Sequence, residues 1–210
     1  MTMPARPARP LCALALALAL AACGSSGGGG DEGSPTPSAE ITFLSLADRG
    51  RALARAAEGL SPTPQAALPS AGTASYRGVA GFETGAVAVP ELSDAALDRL
   101  DTLARLEIEA DFGRGTIEGA LRDFQSGDLG GLAGEARLRD GQISGAGIEA
   151  DVAGRLRERQ GDRRTVDVDG RLDGGFRGSG AEIVLGGIRG TVTLGGEEVP
   201  AAGIFGAERQ

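Results

Sequence analysis

The chain has 210 residues and 41% hydrophobic content, enough to bury one sizeable core and, once an export segment is set aside, about the length of one domain. Its 36 glycines against six Phe, one Tyr and no Trp point to short strands and tight turns. All cations are Arg, and loss of Arg6 and Arg9 with a leader leaves 19 of them against 29 acids, a net charge of −10 that argues against nucleic acid as a partner.

Arg6 and Arg9 open the chain, Leu11 to Leu20 form an apolar run, and Ala21 and Ala22 a small-residue exit, the three-part layout of a secretory signal over residues 1–22. Such a run of roughly ten apolar residues is too short for a permanent span. Leu20-Ala21-Ala22-Cys23-Gly24 resembles a bacterial lipobox, which implies cleavage between Ala22 and Cys23 and lipidation of Cys23. Cys12 leaves with the leader, so no disulfide can form in the mature chain, and the remaining thiol finds its use in a fatty acyl anchor. Two or three acyl chains hold such a protein to a membrane without spanning it. Gly24, standing where a lipoprotein retained in the inner membrane carries Asp, implies an outer-membrane address.

Residues 23–39 read as a flexible linker, and a Gly-rich coil from Gly24 to Ser38 reaches roughly 20 Å. Over residues 40–60 the order of Leu44, Leu46, Ala47, Leu53, Ala54 and Ala57 between Arg49, Arg51, Arg55 and Glu58 predicts a short amphipathic helix, ended by Gly59 and Pro62. Two placements suit it: capping one end of a barrel, or lying on a membrane surface. Residues 61–72 form a Pro-rich linker, where the domain boundary is placed.

From residue 73 to 210 strand signals recur. Leu106 to Phe112 alternates apolar and charged residues, and Gly113-Arg114-Gly115 joins it to a hairpin partner from Thr116. The set Thr73–Phe82, Ala104–Phe112, Thr116–Arg122, Leu132–Arg139, Gly145–Leu156, Thr165–Phe176, Ile188–Leu194 and Gly203–Glu208 predicts an all-β fold, a single soluble eight-stranded antiparallel β-barrel. Charged outer faces argue against a transmembrane barrel. Ser93 to Leu103 is a further candidate helix, capped by Ser93, while Gly141, Gly161 and Gly178 punctuate the strands. Phe82, Phe112, Phe176 and Phe205 are core candidates, and Ala, Val, Leu and Gly are expected to fill the interior, leaving recognition to loops.

Four patterns in order resemble the β-barrel domain of transferrin-binding protein B and its wider family of surface lipoproteins. Tyr76-Arg77-Gly78 is similar to that family's Tyr-x-Gly, and Asp111-Phe112 with Gly115, Thr116 and Gly119 to its hairpin. Phe176, Gly178, Ala181 and Glu182, followed by Gly186-Gly187, resemble its most specific stretch, although Arg177 and Ser179 replace the usual Tyr and Pro. Phe205 and Gly206 sit in what resembles its last strand. The resemblance implies a binding lipoprotein. It does not extend to transferrin binding, because the family's large receptors have two lobes with long loops and this chain has one lobe with short connections.

No catalytic constellation emerges. His is absent, which removes the commonest general base and zinc ligand. Glu107 and Glu109 share one solvated strand face, and Asp167 and Asp169 lack the turn and distal Glu of a calcium loop. The expectation is therefore no enzyme, no metal and no cofactor; haem would have only Tyr76 as a tyrosine ligand. Two readings stay open. One is an outer-membrane or cell-surface module that binds a solute or protein, in the setting of iron, haem or metal acquisition and beside an outer-membrane receptor. The other is a structural or envelope-interaction lipoprotein without a small ligand. The membrane, through the lipid, is a partner in both.

Overall fold

The computed structural model describes residues 41–210; the expected leader, Cys23 and the flexible linker lie outside the described residues. Eight strands form a closed antiparallel barrel in sequence order: β1 (Thr73–Thr84), β2 (Thr102–Asp111), β3 (Thr116–Ser126), β4 (Gly130–Ser144), β5 (Gly147–Glu158), β6 (Thr165–Arg177), β7 (Ile183–Leu194) and β8 (Glu197–Arg209). Each expected strand is present. Most run longer than their alternating cores, because hairpin pairing carries on into polar and Gly-rich residues at the tips.

Alternation places Tyr76, Ala80 and Phe82 of β1 inside, together with Leu106, Ile108, Leu172, Phe176 and Phe205 from other strands. The interior is filled: Tyr76, Phe124, Phe176 and Phe205 are each at most 1% exposed. Phe112 packs partly buried against this core. Phe124 was not among the expected core aromatics. Asp123, at φ 53, bulges β3 between Leu121 and Phe124, so the inward face resumes three residues on rather than two. Asp140, at φ 50, does the same in β4, which therefore continues through Gly141 to Ser144, and Gly141 lies inside a strand instead of between strands.

Helix α1 (Phe43–Ala57) begins with a capping box between Thr42 and Ser45. It does not cap a barrel end. Leu46 and Ala47 join Val79, Leu97, Leu100, Leu103 and Ile204 in a second apolar cluster outside the wall of β8, β1 and β2. Leu44, counted on the buried stripe, is 72% exposed, and Phe43 packs in its place. The second helix, α2, is a single turn (Asp94–Leu97) capped by Ser93, whose side chain accepts from Ala96 N. The expected helix stops there because the chain must enter β2, where Leu103 faces the apolar cluster.

One barrel end is crossed by a strap. The Pro-rich stretch 61–72 starts at the β6–β7 turn, where Thr63 N donates to Phe176 O at 2.9 Å and Thr63 Oγ1 to Gly178 O at 2.7 Å. It finishes at the β2–β3 turn, where Phe112 N donates to Gly72 O at 3.0 Å. These turns lie four strands apart in a ring of eight, so the strap spans the diameter, and Leu68 packs against the core on the way.

The seam between β1 and β8 is built on glycine. A Cβ on Gly78 would fall on the Gly206 carbonyl, and one on Gly203 would fall on that of Gly81. Gly180, in contrast, has open space around it. Gly78→Ala is therefore expected to destabilise by about 2 kcal/mol or more through overpacking, and Gly180→Ala to stay within about 0.5 kcal/mol. Urea unfolding midpoints measure both.

Candidate functional site

The residues of the family-like patterns fall into three groups in space. The first closes the strapped end. The Tyr76 and Phe176 rings lie 5.7 Å apart, and Phe112 and Phe176 5.5 Å apart, both tilted and at the separation usual for aromatic pairs. The Tyr76 hydroxyl donates to Ala181 O at 2.8 Å, with Ala181 held at φ 57 in a turn that Gly178 opens at φ 86. Glu182 accepts from Ser179 Oγ at 3.0 Å, and its carbonyl receives Arg209 N of the last strand at 2.8 Å. Burial pushes the Tyr76 phenol up to about 12, partly opposed by Arg209. With no exposed surface and its hydroxyl committed to a carbonyl, Tyr76 is a plug and offers no ligand atom to haem.

The second group shapes hairpins and strand contacts. Asp111 Oδ1 accepts from Arg114 N at 2.9 Å and its carbonyl from Gly115 N at 2.8 Å, while Gly115 takes φ 69. A Cβ on Gly119 would strike the Glu107 carbonyl. Gly78 and Gly206 meet at the seam, with Phe205 inside it.

The third group forms an outside surface. Gly186 and Gly187 point to opposite sides of β7. At Gly186 a side chain would hit Asp173 O and the Phe205 ring; at Gly187 it would hit Val89, which lies on the bare backbone from the β1–β2 connection. Leu92 and Leu53 lie over Gly206 in the same way. Between this connection, the end of α1 and β7 opens a groove of about 940 Å³, with Ala54, Ala57, Val89, Leu92 and Leu185 in its lining and Arg55, Glu58, Glu91 and Arg177 among its charged groups. Val87, close by in sequence, is 76% exposed. Composition and alternation did not foretell the groove, because it depends on where a loop without period comes to lie. Gly-Gly in a strand was its one legible sign.

The remaining wall is ionic. Arg77, Glu107, Arg122 and Glu135 form a chain across β1 to β4 with N–O distances of 3.7, 3.4 and 3.0 Å. Glu149, Arg171, Asp173 and Arg189 form another across β5 to β7, at 2.6, 3.7 and 3.4 Å. Hydrogen bonds from Arg137 and Arg122 hold the Glu135 carboxyl below the usual carboxylate range. Exposed pairs of this kind add little stability each, but their desolvation cost keeps the wall in water. Glu107 is thus occupied by cations, and Asp167 is held by Arg155 at 2.6 Å. Among the described residues no three His, Cys, Asp or Glu side chains are grouped to hold a metal, and no helix is long and apolar enough to cross a membrane.

No family model matches the chain, and no curated protein matches it. Among solved structures it is similar to a single-substitution mutant of transferrin-binding protein B from Haemophilus parasuis Hp5, with 19% identity over 71% of this chain and a TM-score of 0.46. It is also similar to an intact two-lobed transferrin-binding protein B, with 18% identity over 71% of the chain and a TM-score of 0.42. A surface lipoprotein matches at 16% identity over 70% of the chain, with a TM-score of 0.40. The chain spans 29% and 28% of the two transferrin-binding protein B chains and 65% of the surface lipoprotein.

Two titrations test this geometry. The folded state favours the neutral Tyr76 phenol, so its contribution to stability is whole below the free tyrosine value, about 10, and is lost as pH rises through about 12. As the chain has a single Tyr, tyrosinate absorbance should appear near pH 12 in the native protein and near the free value after denaturation. Glu158, 7% exposed at the foot of the β5–β6 turn, is held below the usual carboxylate range by hydrogen bonds from Arg164. The stability from that pair is complete above the ordinary Glu value and lost as pH falls through the lowered one. Glu158→Gln is expected to flatten that acid limb of the unfolding midpoint against pH.

Proposed function

We propose that this chain is a non-enzymatic binding lipoprotein of the outer membrane or cell surface, anchored through Cys23, that recognises its ligand with the outside of the barrel. The observation that carries this reading is the contrast between a core filled by Tyr76, Phe124, Phe176 and Phe205 and an open, partly apolar groove laid over Gly187. A filled barrel has no room for a solute, whereas a groove between a helix, a loop and a strand suits a partner's side chains. A protein ligand is therefore favoured over a small solute, and a neighbouring outer-membrane receptor fits the same geometry. Iron or haem acquisition remains the setting implied by the resemblance; haem itself would find no tyrosine ligand in Tyr76.

Two measurements test the reading. Radioactive fatty acid fed to cells should label the wild type and leave Cys23→Ser unlabelled; equal labelling, or none, contradicts the anchor. Proteins captured by the lipidated chain, once identified and purified, should bind saturably to the wild type and at least tenfold more weakly to Ala57→Trp, which obstructs the groove. Saturable binding untouched by Ala57→Trp contradicts the assignment of the groove.

A further inference from the structure

The turn joining β5 to β6 differs in charge from the rest of the molecule. Residues 155–164 hold five Arg and two acids within a chain of net charge −8. Register explains why part of that charge stays free. Arg155 stands between Glu135 and Asp167 on the neighbouring strands, and it pairs with Asp167. Arg157, two residues on along the same outer face, stands between Ala133 and Thr165. Arg159 extends over Gly131, whose missing side chain leaves the space. Arg163 is exposed at the tip. Among the described residues none of Arg157, Arg159 and Arg163 has a carboxylate within ion-pair distance, although twelve other Arg side chains do.

The tip is also held in shape. Glu158, turned inward beneath it, accepts from the Arg164 backbone N at 3.3 Å and from that guanidinium at 3.3 and 3.4 Å. Glu158 N donates to Arg164 O at 3.0 Å, and Arg159 N to Gly131 O at 3.0 Å. Arg163 keeps φ 55, a left-handed conformation that a bulky residue adopts at a cost. The one buried carboxylate among the described residues is thus committed here to Arg164, and three guanidinium groups face outward from an acidic molecule.

We propose that this tip docks on a lipid bilayer surface rich in anionic phospholipid headgroups. Guanidinium groups pair with phosphate oxygens in a bidentate fork, and each basic residue near an anionic bilayer strengthens binding about fivefold. The choice of a bilayer over an acidic protein rests on the lipid-anchor reading. On that reading the stretch of chain between Cys23 and the folded unit keeps the tip at high effective concentration beside the membrane, where three weak contacts are enough to set orientation. The β5–β6 turn lies across the barrel from the wall that α1 covers, so docking leaves that wall away from the contact.

The test uses residues 24–210 made without leader or lipid, which contain the compact unit Ala39–Gln210, so that no acyl chain contributes to binding. Co-flotation is measured with phosphatidylcholine vesicles, with vesicles that also contain phosphatidylglycerol, and in competition with soluble polyglutamate. The expected result is flotation with phosphatidylglycerol vesicles alone, weakened by salt, roughly fivefold lower for each of Arg157→Gln, Arg159→Gln and Arg163→Gln, and unchanged by Arg139→Gln on the wall. Equal flotation of the triple variant, flotation with phosphatidylcholine alone, or binding to polyglutamate without flotation each overturns the proposal, the last in favour of an acidic protein. Fatty-acid labelling of Cys23 is a separate readout: flotation without labelling removes the anchor and keeps the tip, and labelling without flotation does the reverse.

Discussion

Closure of β8 onto β1 is the constraint from which the rest of the structure follows. An open eight-stranded sheet would leave two edges and an unpaired row of backbone donors and acceptors. Here the last strand returns beside the first from Tyr76 with Arg209 to Thr84 with Ala201. The approach is so tight that glycine appears on both strands of the seam, with Gly78 against the Gly206 backbone and Gly203 against that of Gly81. The same bare backbone leaves shallow places on the outside, and Leu53, Leu92, Leu100 and Leu103 fill them. Helix α1 and the single turn of α2 are therefore part of the seam's packing, since they keep water from the outer side of the strands that close the ring.

Closure also decides where recognition can occur. Once the ring is shut around Phe124, Phe176, Phe205 and Tyr76, and one end is crossed by the strap with Leu68, the inside has no space left to offer a ligand. On the proposed binding reading, recognition falls to the outside: a partly apolar groove where the β1–β2 connection rides over Gly187, an array of ion pairs, and a basic turn with three outward Arg side chains. The three differ in physical character. The groove offers dry contact, the ion pairs hold water and present little that is unsatisfied, and the turn offers charge.

The alternating pattern made the barrel legible because most outward positions are solvated and carry Arg, Asp or Glu. It failed where that condition failed. Ile183 to Gly187 has no alternation, as outward Ile183 is buried and Gly187 lies beneath Val89, so the start of β7 could not be read from polarity. The bulges at Asp123 and Asp140 reset the inward phase, which hid Phe124 and put Gly141 inside a strand. For α1 the apolar count was right in kind, but Leu44 and Phe43 exchange roles because the helix lies along a wall, where only a narrow stripe is covered. The order of Tyr76, Phe112, Phe176 and Ala181 could be read as a pattern without showing its purpose. Their meeting at one end, with the Tyr76 hydroxyl on the Ala181 carbonyl, is a tertiary fact. Net charge concealed the β5–β6 turn in a different way, by averaging a basic tip into an acidic whole.

Amide hydrogen exchange across the seam tests closure most directly. Amides of Val79, Gly81, Ile204 and Gly206, which pair between β1 and β8, should exchange as slowly as those between β4 and β5, through the global unfolding event alone. Fast exchange confined to the β1–β8 amides, with the other strands still protected, would mean an open sheet, and the filled, closed interior would have to be abandoned.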